Sequence, residues 1–365
     1  MSTQSRALIT PYIDFWLVGG FSLVFLAIAM FTTHVAKVNM MTFIPIWAFW
    51  AAFAVNYPHF AHSYQLFYED FINRMKDPET PLKVKMRPFI AGVIVPVLII
   101  GYFAWCYYSK DPAFLGYSIR AMYFFVGWHY VKQGYGILIT LSVYKGIFYS
   151  DRSKKILTLN AYAAWMFAWL RSNQYVGTNF YYDVKHQSLG FPEWVITASL
   201  IILIITSLLT ISAILKTWLA EKKGISINGL VGYFCGVYMW VVLPYINPAF
   251  FVFVAFFHSL QYLPFVYKFK GSEIKKKLKE ELHEDHPKYF SYWPLAVFAI
   301  IGITLGASFM HIVPKQIDAV NAIPNFSRHF YIIAFLVFIN VHHYFIDSSF
   351  WRRDNKRVQE YLFRS

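Results

Sequence analysis

The sequence predicts an all-α protein, a polytopic transmembrane helical bundle of about ten spans with both termini in the cytoplasm. Hydrophobic residues make up 58% of the 365 residues and charged residues only 14%, whereas a soluble domain carries roughly 25% charged residues. The mean hydropathy is positive, at +0.42. Several apolar runs also reach the roughly 20 residues that a helix needs to cross the hydrocarbon core of a bilayer.

The apolar runs, taken in order along the chain, give the predicted spans. Pro244 and Pro248 separate the seventh span from the eighth, because two prolines this close together favour a turn over a continuous helix. The predicted spans are residues 11–33, 42–67, 88–108, 117–144, 157–170, 194–215, 227–244, 248–267, 292–312 and 329–349.

The basic residues predict the orientation of these spans. Of the 33 Lys and Arg residues, 25 lie at the two termini and in the even-numbered loops, and an excess of such residues marks the cytoplasmic side. The same distribution argues against nucleic acid as a partner despite the net charge of +14, because the charges are spread over short loops instead of forming one phosphate-binding patch. We therefore expect a multi-pass protein of the bacterial cytoplasmic (inner) membrane, surrounded by membrane lipids.

The whole chain, residues 1–365, is predicted to form a single integral-membrane domain with two longer loops. Residues 268–289 have the pattern of an amphipathic cytoplasmic insertion that lies on anionic lipid. Residues 171–193 form an outer loop, which is either a lid or simply a long connection. Cys106 and Cys235 both lie in apolar segments, which favours buried core cysteines over a disulfide or a cysteine-based zinc site.

Six histidines that lie inside the predicted spans and away from the span ends are the strongest functional signal. The four spans that carry them all run from the outer side to the cytoplasm, so their imidazoles could meet at one depth. Ionisable groups within a bilayer are costly and usually functional, and imidazole is a common ligand of iron, copper and zinc. Interhelical hydrogen bonding is the alternative interpretation. The predicted metal ligands are His59, His62, His129, His258, His342 and His343.

Helical geometry suggests how some of these residues are related. His59 and His62 are three residues apart and share a helix face, so they can chelate one ion or act as one ligand and its partner. Asp347 lies roughly 40° around the helix from His343 and about 140° from His342. This angle favours His343 as the residue that Asp347 orients, but the sequence leaves open which of the two histidines binds metal.

Other polar residues in the same spans are candidates for catalysis around the ion. Tyr262, Gln133 and Gln261 could donate hydrogen bonds there. Lys132 could pair with Asp347 or with a lipid phosphate, or its side chain could extend to the membrane interface. The predicted catalytic residues are thus Tyr262, Lys132, Gln133, Gln261 and Asp347.

Four segments together resemble the Brp/Blh family of microbial β-carotene cleavage dioxygenases. They are the Pro58-His59 pair, His129 in a later span, the segment FFHSLQYLPFVYK at 256–268, and His342 with Asp347 followed by FWR at 350–352. The resemblance implies an integral membrane protein that cleaves a polyene with dioxygen by means of histidine-bound iron.

This chain also departs from the family pattern. Tyr262 stands where the third family motif has a second histidine, and Ser63 and Gly134 replace acidic residues. His62 and His343 are additional histidines, and the number of predicted spans is larger. The resemblance therefore supports a histidine-ligated membrane iron oxygenase better than it supports β-carotene as the substrate.

The sequence thus predicts a non-haem iron oxygenase that uses dioxygen on an apolar lipid or polyene entering from the bilayer. Copper and zinc are the alternative metals, and any electron donor is unidentified. Two other functions stay open: an ion- or proton-coupled transporter with an intramembrane His/Lys/Asp relay, and a haem-binding redox protein with paired axial histidines. A zinc hydrolase and a serine hydrolase are disfavoured, because the motifs H-E-x-x-H and G-x-S-x-G are absent.

Overall fold

A computed structural model describes residues 6–38, 44–174, 178–181, 183–221, 224–247, 250–282, 289–326 and 328–364. Helices account for nearly all of this chain, and short π-helical segments join α-helical ones without a break. The α-helices are Pro11–Phe15, Phe21–Met30, Ile44–Ala51, Tyr57–Glu69, Phe71–Lys76, Leu82–Phe89, Val95–Ser109, Pro112–Tyr144, Asp151–Ser172, Glu193–Glu221, Ile227–Ile246, Phe251–Leu282, Tyr289–Ala307, Val313–Val320, Phe330–Phe350 and Lys356–Val358. The π-helical segments are Trp16–Gly20, Phe31–Val35, Ala52–Asn56, Ile90–Ile94, Ser308–Ile312 and Gln359–Phe363, and Pro324–Phe326 is a 3₁₀ turn.

A small β-hairpin interrupts the helices within the predicted outer loop. Strand Thr178–Tyr181 pairs antiparallel with strand Val184–Gln187. The hairpin packs closely on helix Pro112–Tyr144, since a Cβ atom on Gly116 would lie 2.6 Å from the carbonyl oxygen of Lys185. The loop at 171–193 therefore contains ordered structure of its own.

Six helices within the described ranges are long and apolar enough to cross a membrane. This confirms a helical fold, apart from the hairpin, with apolar helices of the kind that membrane proteins contain, but the predicted count of about ten spans is wrong. The six are Pro11–Val35, Leu82–Ser109, Glu193–Glu221, Ile227–Ile246, Tyr292–Val320 and Phe330–Phe350.

The other four predicted spans do fold as helices, but they carry more polar residues. They lie in the helical stretches 44–69, 112–144, 151–172 and 251–282. Polar side chains that point into a bundle lower the mean hydropathy of the helix that carries them. The polar residues in question are His59, His62 and Gln65, then His129, Lys132 and Gln133, then Asn160, and finally His258 and Gln261.

The chain divides into two compact units. One comprises residues 1–52, 127–177 and 188–264, and the other comprises residues 53–126, 178–187 and 265–365. Three of the boundaries, at 52/53, 126/127 and 264/265, fall inside uninterrupted helices. Three helices therefore contribute residues to both units.

The first unit has a core of small and aliphatic side chains from helices Asp151–Ser172, Glu193–Glu221 and Ile227–Ile246. Helix Pro112–Tyr144 joins this core through a glycine contact, since a Cβ atom on Gly134 would lie only 3.3 Å from the Cα atom of Gly236. The buried members of the core are Val131, Leu138, Tyr149, Leu157, Ala161, Ala163, Ala164, Leu203, Ile214, Tyr233 and Val237.

A polar network crosses three helices of the same unit. The amide nitrogen of the fully buried Asn160 donates to Thr206 (3.3 Å) and Ser207 (3.1 Å). The hydroxyls of Tyr233 and Tyr238 donate to the amide oxygen of Asn160, at 2.8 and 3.1 Å. Such bonds hold helices together where no water competes for them. We call these five residues the Asn160 network.

The second unit brings helix Tyr57–Glu69 against helix Tyr289–Ala307 through two glycines. A Cβ atom on Gly306 would collide with the backbone of Tyr57, and one on Gly302 would collide with the ring of His62. Helix Phe330–Phe350 is the most enclosed of the six apolar helices, with 67% of its apolar window buried.

Four charged side chains meet at one end of the second unit. Lys270 contacts Glu69 at 2.6 Å and Glu273 at 2.8 Å, and Arg357 contacts the same two carboxylates at 3.0 and 2.5 Å. Burial alone would raise the pKa of Glu273, but its hydrogen bonds and its attraction to Lys270 and Arg357 outweigh that effect and lower the pKa below the usual value. We call Glu69, Lys270, Glu273 and Arg357 the charged cluster.

The predicted cytoplasmic insertion at 268–289 begins as part of a longer helix. Helix Phe251–Leu282 continues through this region without a break, and residues 283–288 lie outside the described chain. Lys276 pairs with Glu280 and Glu360, and Lys277 lies 3.6 Å from Glu273. These two lysines therefore contact carboxylates of the chain itself.

Candidate metal centre

His59 and His343 form the tightest pair of imidazoles. His59 lies in helix Tyr57–Glu69 and His343 in helix Phe330–Phe350, and their Nε2 atoms are 2.8 Å apart. Both side chains are 0% exposed. The ring of Phe60 packs edge-on against His343, with 4.9 Å between ring centroids.

His129 and His258 form a second pair, in helices Pro112–Tyr144 and Phe251–Leu282. Their ring centroids are 4.8 Å apart, and each residue is 6% exposed. Tyr130 stacks on the His258 ring at 3.9 Å. The amide nitrogen of Gln133 donates to the carbonyl oxygen of His258 at 2.8 Å, which fixes the backbone at this position.

These four histidines form one buried cluster that could hold a metal ion. One nitrogen from each of His59, His129, His258 and His343 lies within 4.8 Å of all the others. Nitrogen ligands lie about 2.0–2.1 Å from an ion such as zinc, so two of them can be separated by up to about 4.2 Å. The observed upper limit of 4.8 Å exceeds this separation, which applies to two ligands on opposite sides of the ion, by about 0.6 Å.

The donor set fits a transition metal. Imidazole suits iron, copper and zinc, whereas calcium and magnesium prefer oxygen ligands. Asp347 supplies one negative charge nearby, with Oδ2 3.6 Å from Nε2 of His343 and its side chain only 6% exposed. This carboxylate faces the same nitrogen of His343 that faces His59, and can offset part of the charge of a buried cation.

The other two predicted ligands, His62 and His342, contact different partners. His62 lies 2.7 Å from the amide oxygen of Gln65 and 3.2 Å from the hydroxyl of Tyr267. Nδ1 of His342 lies 2.9 Å from the hydroxyl of Tyr64, and its Nε2 lies 3.0 Å from the carbonyl oxygen of Ala91. Of the six predicted ligands, four converge and these two flank them.

The predicted catalytic residues have varied surroundings. Lys132 places its ammonium group over the ring of Trp128, 4.2 Å from the centroid. Gln261 donates to the carbonyl oxygen of Val18 at 2.5 Å, next to the kink at Gly19. Tyr262 is buried in helix Phe251–Leu282 at 4% exposure. Gln133 bonds to the backbone of His258 and Asp347 lies beside His343, so these two contact residues of the cluster.

Sequence reasoning missed the two tyrosines that contact the flanking histidines. Tyr64 lies five residues after His59, and Tyr267 lies 205 residues from His62 in the chain. The sequence holds 27 tyrosines, and nothing in their spacing distinguishes these two. Only the packing of the helices brings each beside an imidazole.

No family model, curated protein or solved structure matches this chain. The resemblance to the Brp/Blh family therefore stays a prediction. The evidence for a metal centre is therefore the geometry of the four converging histidines.

Proposed function

We propose that the protein is a membrane-embedded oxygenase in which His59, His129, His258 and His343 hold a non-haem iron ion. The observation that carries this proposal is the buried set of four imidazole nitrogens within 4.8 Å of one another. When bound, iron would supply the redox chemistry by which dioxygen oxidises an organic substrate. Copper or zinc would suit the same ligands.

The role of the surrounding residues is to hold the imidazoles and to exclude water. Phe60 and Tyr130 pack against the rings of His343 and His258. Exclusion of water protects reactive species and strengthens electrostatic interactions within a site. Asp347, beside His343, would offset part of the positive charge of the ion.

The apolar helices of the protein favour an apolar lipid or polyene as the substrate class. Six helices of the described chain have the length and hydropathy of membrane spans, so such a molecule could reach the protein directly from the bilayer. The motifs around His59, His129, His258 and His342 make β-carotene the first substrate to test. The distribution of basic residues supports a multi-pass protein of the bacterial cytoplasmic membrane with cytoplasmic termini.

The histidine geometry favours a non-haem ion over a haem. A haem iron takes its four equatorial ligands from the porphyrin, so protein residues provide only the axial positions. Four imidazoles gathered around one point would occupy the space of that ring. The transporter hypothesis has weaker support, because the ammonium of Lys132 lies over Trp128 and Asp347 lies beside His343.

The proposal can be tested in cells that make β-carotene. We expect cells that express the protein to form retinal or another cleavage product, and the purified protein to contain iron. His258→Ala should abolish both, whereas His34→Ala, which changes an exposed histidine outside the cluster, should keep both. A folded, iron-loaded protein that oxidises no polyene or acyl chain would overturn the oxygenase, and a folded protein free of metal would overturn the centre itself.

A further inference from the structure

Tyr267 and His62 form a phenol–imidazole pair outside the metal centre. Nδ1 of His62 lies 2.7 Å from Oε1 of Gln65, an oxygen that only accepts hydrogen bonds. In this arrangement Nδ1 carries the hydrogen, which leaves Nε2 to accept one from the Tyr267 hydroxyl 3.2 Å away. The hydrogen bonds therefore run in one direction, from Tyr267 to His62 to Gln65.

The ring of His62 is held firmly in this orientation. It stacks on Phe298 with a centroid distance of 4.4 Å and an interplanar angle of 15°. Gly302 packs so closely against this imidazole that a Cβ atom on the glycine would collide with the ring. His62 is also 0% exposed, so its hydrogen bonds do not compete with bulk solvent.

The pair lies between the metal centre and the charged cluster along two helices. His62 is three residues, or about one turn, after His59 in helix Tyr57–Glu69. Tyr267 is three residues before Lys270, which pairs with Glu69 and Glu273. The side chain of Glu69 is 36% exposed, whereas the other three members of the charged cluster are 3–14% exposed, so the cluster reaches solvent at Glu69.

A phenol with an imidazole acceptor differs chemically from other buried tyrosines. Loss of one electron makes a phenol strongly acidic, so its proton must leave together with the electron. A neutral imidazole can take up that proton, whereas a backbone carbonyl cannot. Tyr102, for comparison, donates to the carbonyl oxygen of Phe114 at 2.5 Å.

Tyr64 and His342 form a second phenol–imidazole pair with different surroundings. This pair lies against the backbone at Ala91, and the neighbouring Tyr68 bonds to the carbonyl oxygen of Gly92. Tyr68, which is 38% exposed, also lies 3.4 Å from Nε2 of His342, so this pair borders an exposed tyrosine. The Tyr267 pair differs because Tyr267 lies about one helical turn from the charged cluster in its own helix.

We propose that Tyr267 is a redox-active tyrosine that relays single electrons to the metal centre from a one-electron reductant at the charged cluster. In the relay step, which follows oxidation of the centre by dioxygen, Tyr267 gives one electron to the centre, its O–H bond breaks, and the proton forms an N–H bond at Nε2 of His62. The reductant then returns one electron to Tyr267 and the proton returns to its oxygen. This role rests on the proposed oxygenase, whose electron donor it would serve.

The first test needs no metal. The full-length protein is photo-oxidised with a soluble ruthenium sensitiser and a sacrificial electron acceptor, and tyrosyl radicals are measured by electron paramagnetic resonance. We expect most of the slowly decaying radical signal to disappear in Tyr267→Phe and to persist in Tyr102→Phe and Tyr64→Phe. A wild-type signal in Tyr267→Phe, or its loss in Tyr64→Phe instead, would overturn the assignment.

His62→Gln tests whether the imidazole acts as the proton acceptor. This variant keeps the phenol but removes the base, so we expect the radical to form about tenfold more slowly and its deuterium isotope effect to change. A purely structural role for His62 would leave both quantities as they are in the wild type. Unchanged kinetics in a folded variant would contradict the proposal.

The last measurement separates this inference from the oxygenase proposal. Metal content is determined for every variant, and the return of the loaded, dioxygen-oxidised protein to its reduced state by a soluble one-electron donor is followed optically. We expect Tyr267→Phe to keep its metal and to be reduced about tenfold more slowly. Loss of the radical with unchanged reduction rates would overturn the relay alone, and absence of metal from all proteins would overturn the oxygenase.

Discussion

The Asn160 network and the four-histidine cluster are both polar groups buried in apolar helices. They differ in whether their members are complementary hydrogen-bonding partners. In the Asn160 network an amide and several hydroxyls supply donors and acceptors to one another across three helices. The cluster instead gathers four groups of one kind, His59, His129, His258 and His343, around one point. Complementary partners are typical of interhelical bonding, whereas convergence of identical ligands is typical of a metal site.

The largest expected effect is on metal content. His129→Ala should lower the amount of bound transition metal more than about tenfold, because the ion loses one of its four imidazole ligands. Asn160→Ala should leave the metal content unchanged. Both are measured by inductively coupled plasma mass spectrometry on folded, purified protein. Equal metal content in the two variants would mean that the four-histidine cluster holds the metal no more than the Asn160 network does.

The next largest effect is expected at the helix contact that holds His62. Gly302→Ala places a methyl group against the His62 ring, and such overpacking costs about 1–3 kcal/mol. We expect a lower unfolding temperature with the metal retained, because His62 lies outside the four converging ligands. Gly101→Ala is the matched control, since a Cβ there meets nothing within 4 Å. Metal loss in Gly302→Ala would instead place His62 among the ligands.

A smaller loss of stability is expected from the network itself. Asn160→Ala removes bonds to helices Glu193–Glu221 and Ile227–Ile246, and interhelical bonds in membranes contribute about 0.6 kcal/mol each on average. Denaturation in mild detergent should show a decrease of about 1–2 kcal/mol. Asn340→Ala serves as the control, because Asn340 bonds to Leu336 and Tyr344 of its own helix. A larger loss in Asn340→Ala would contradict the bridging role of Asn160.

The smallest effect concerns the charged cluster and its dependence on pH. The folded state lowers the pKa of Glu273 below its usual 4.5, so the ionised carboxylate stabilises the fold above that pH. This stability is lost as the pH falls through the lowered value. The difference in unfolding free energy between wild type and Glu273→Gln should be about 1 kcal/mol near neutral pH, because the cost of burying the carboxylate offsets much of its attraction to Lys270 and Arg357, and should shrink in acid. A difference that grows in acid would reverse the assigned sign.

Composition and motif position predicted the helical membrane class and the set of histidines. The sequence alone could not show which of the six histidines would converge, because His59 and His62 share one helix face and His342 and His343 are adjacent. The choice depends on helix rotation and packing, for example on Gly302, which fits the ring of His62. The position of Asp347 beside His343 could be predicted, because both residues lie in the same helix and the angle between them follows from helical geometry. In the structure Oδ2 of Asp347 is 3.6 Å from Nε2 of His343.

The number of spans was harder to predict for a related reason. Runs such as 117–144 and 248–267 are apolar enough to suggest a span by eye, but they contain His129, Lys132, His258 and Gln261. These polar residues lower the mean hydropathy of helices that nevertheless form. Three of the four helices that carry the histidine cluster are thus not evident as spans, whereas helix Phe330–Phe350 is.

X-ray absorption spectroscopy of the metal in the purified wild-type protein is the sharpest test of the four-histidine centre, because it identifies the element and its ligands together. We expect about one transition-metal ion per chain, with the multiple-scattering signature of about four imidazoles. A folded protein with no such ion, or with an ion bound by a porphyrin or by thiolates, would contradict it.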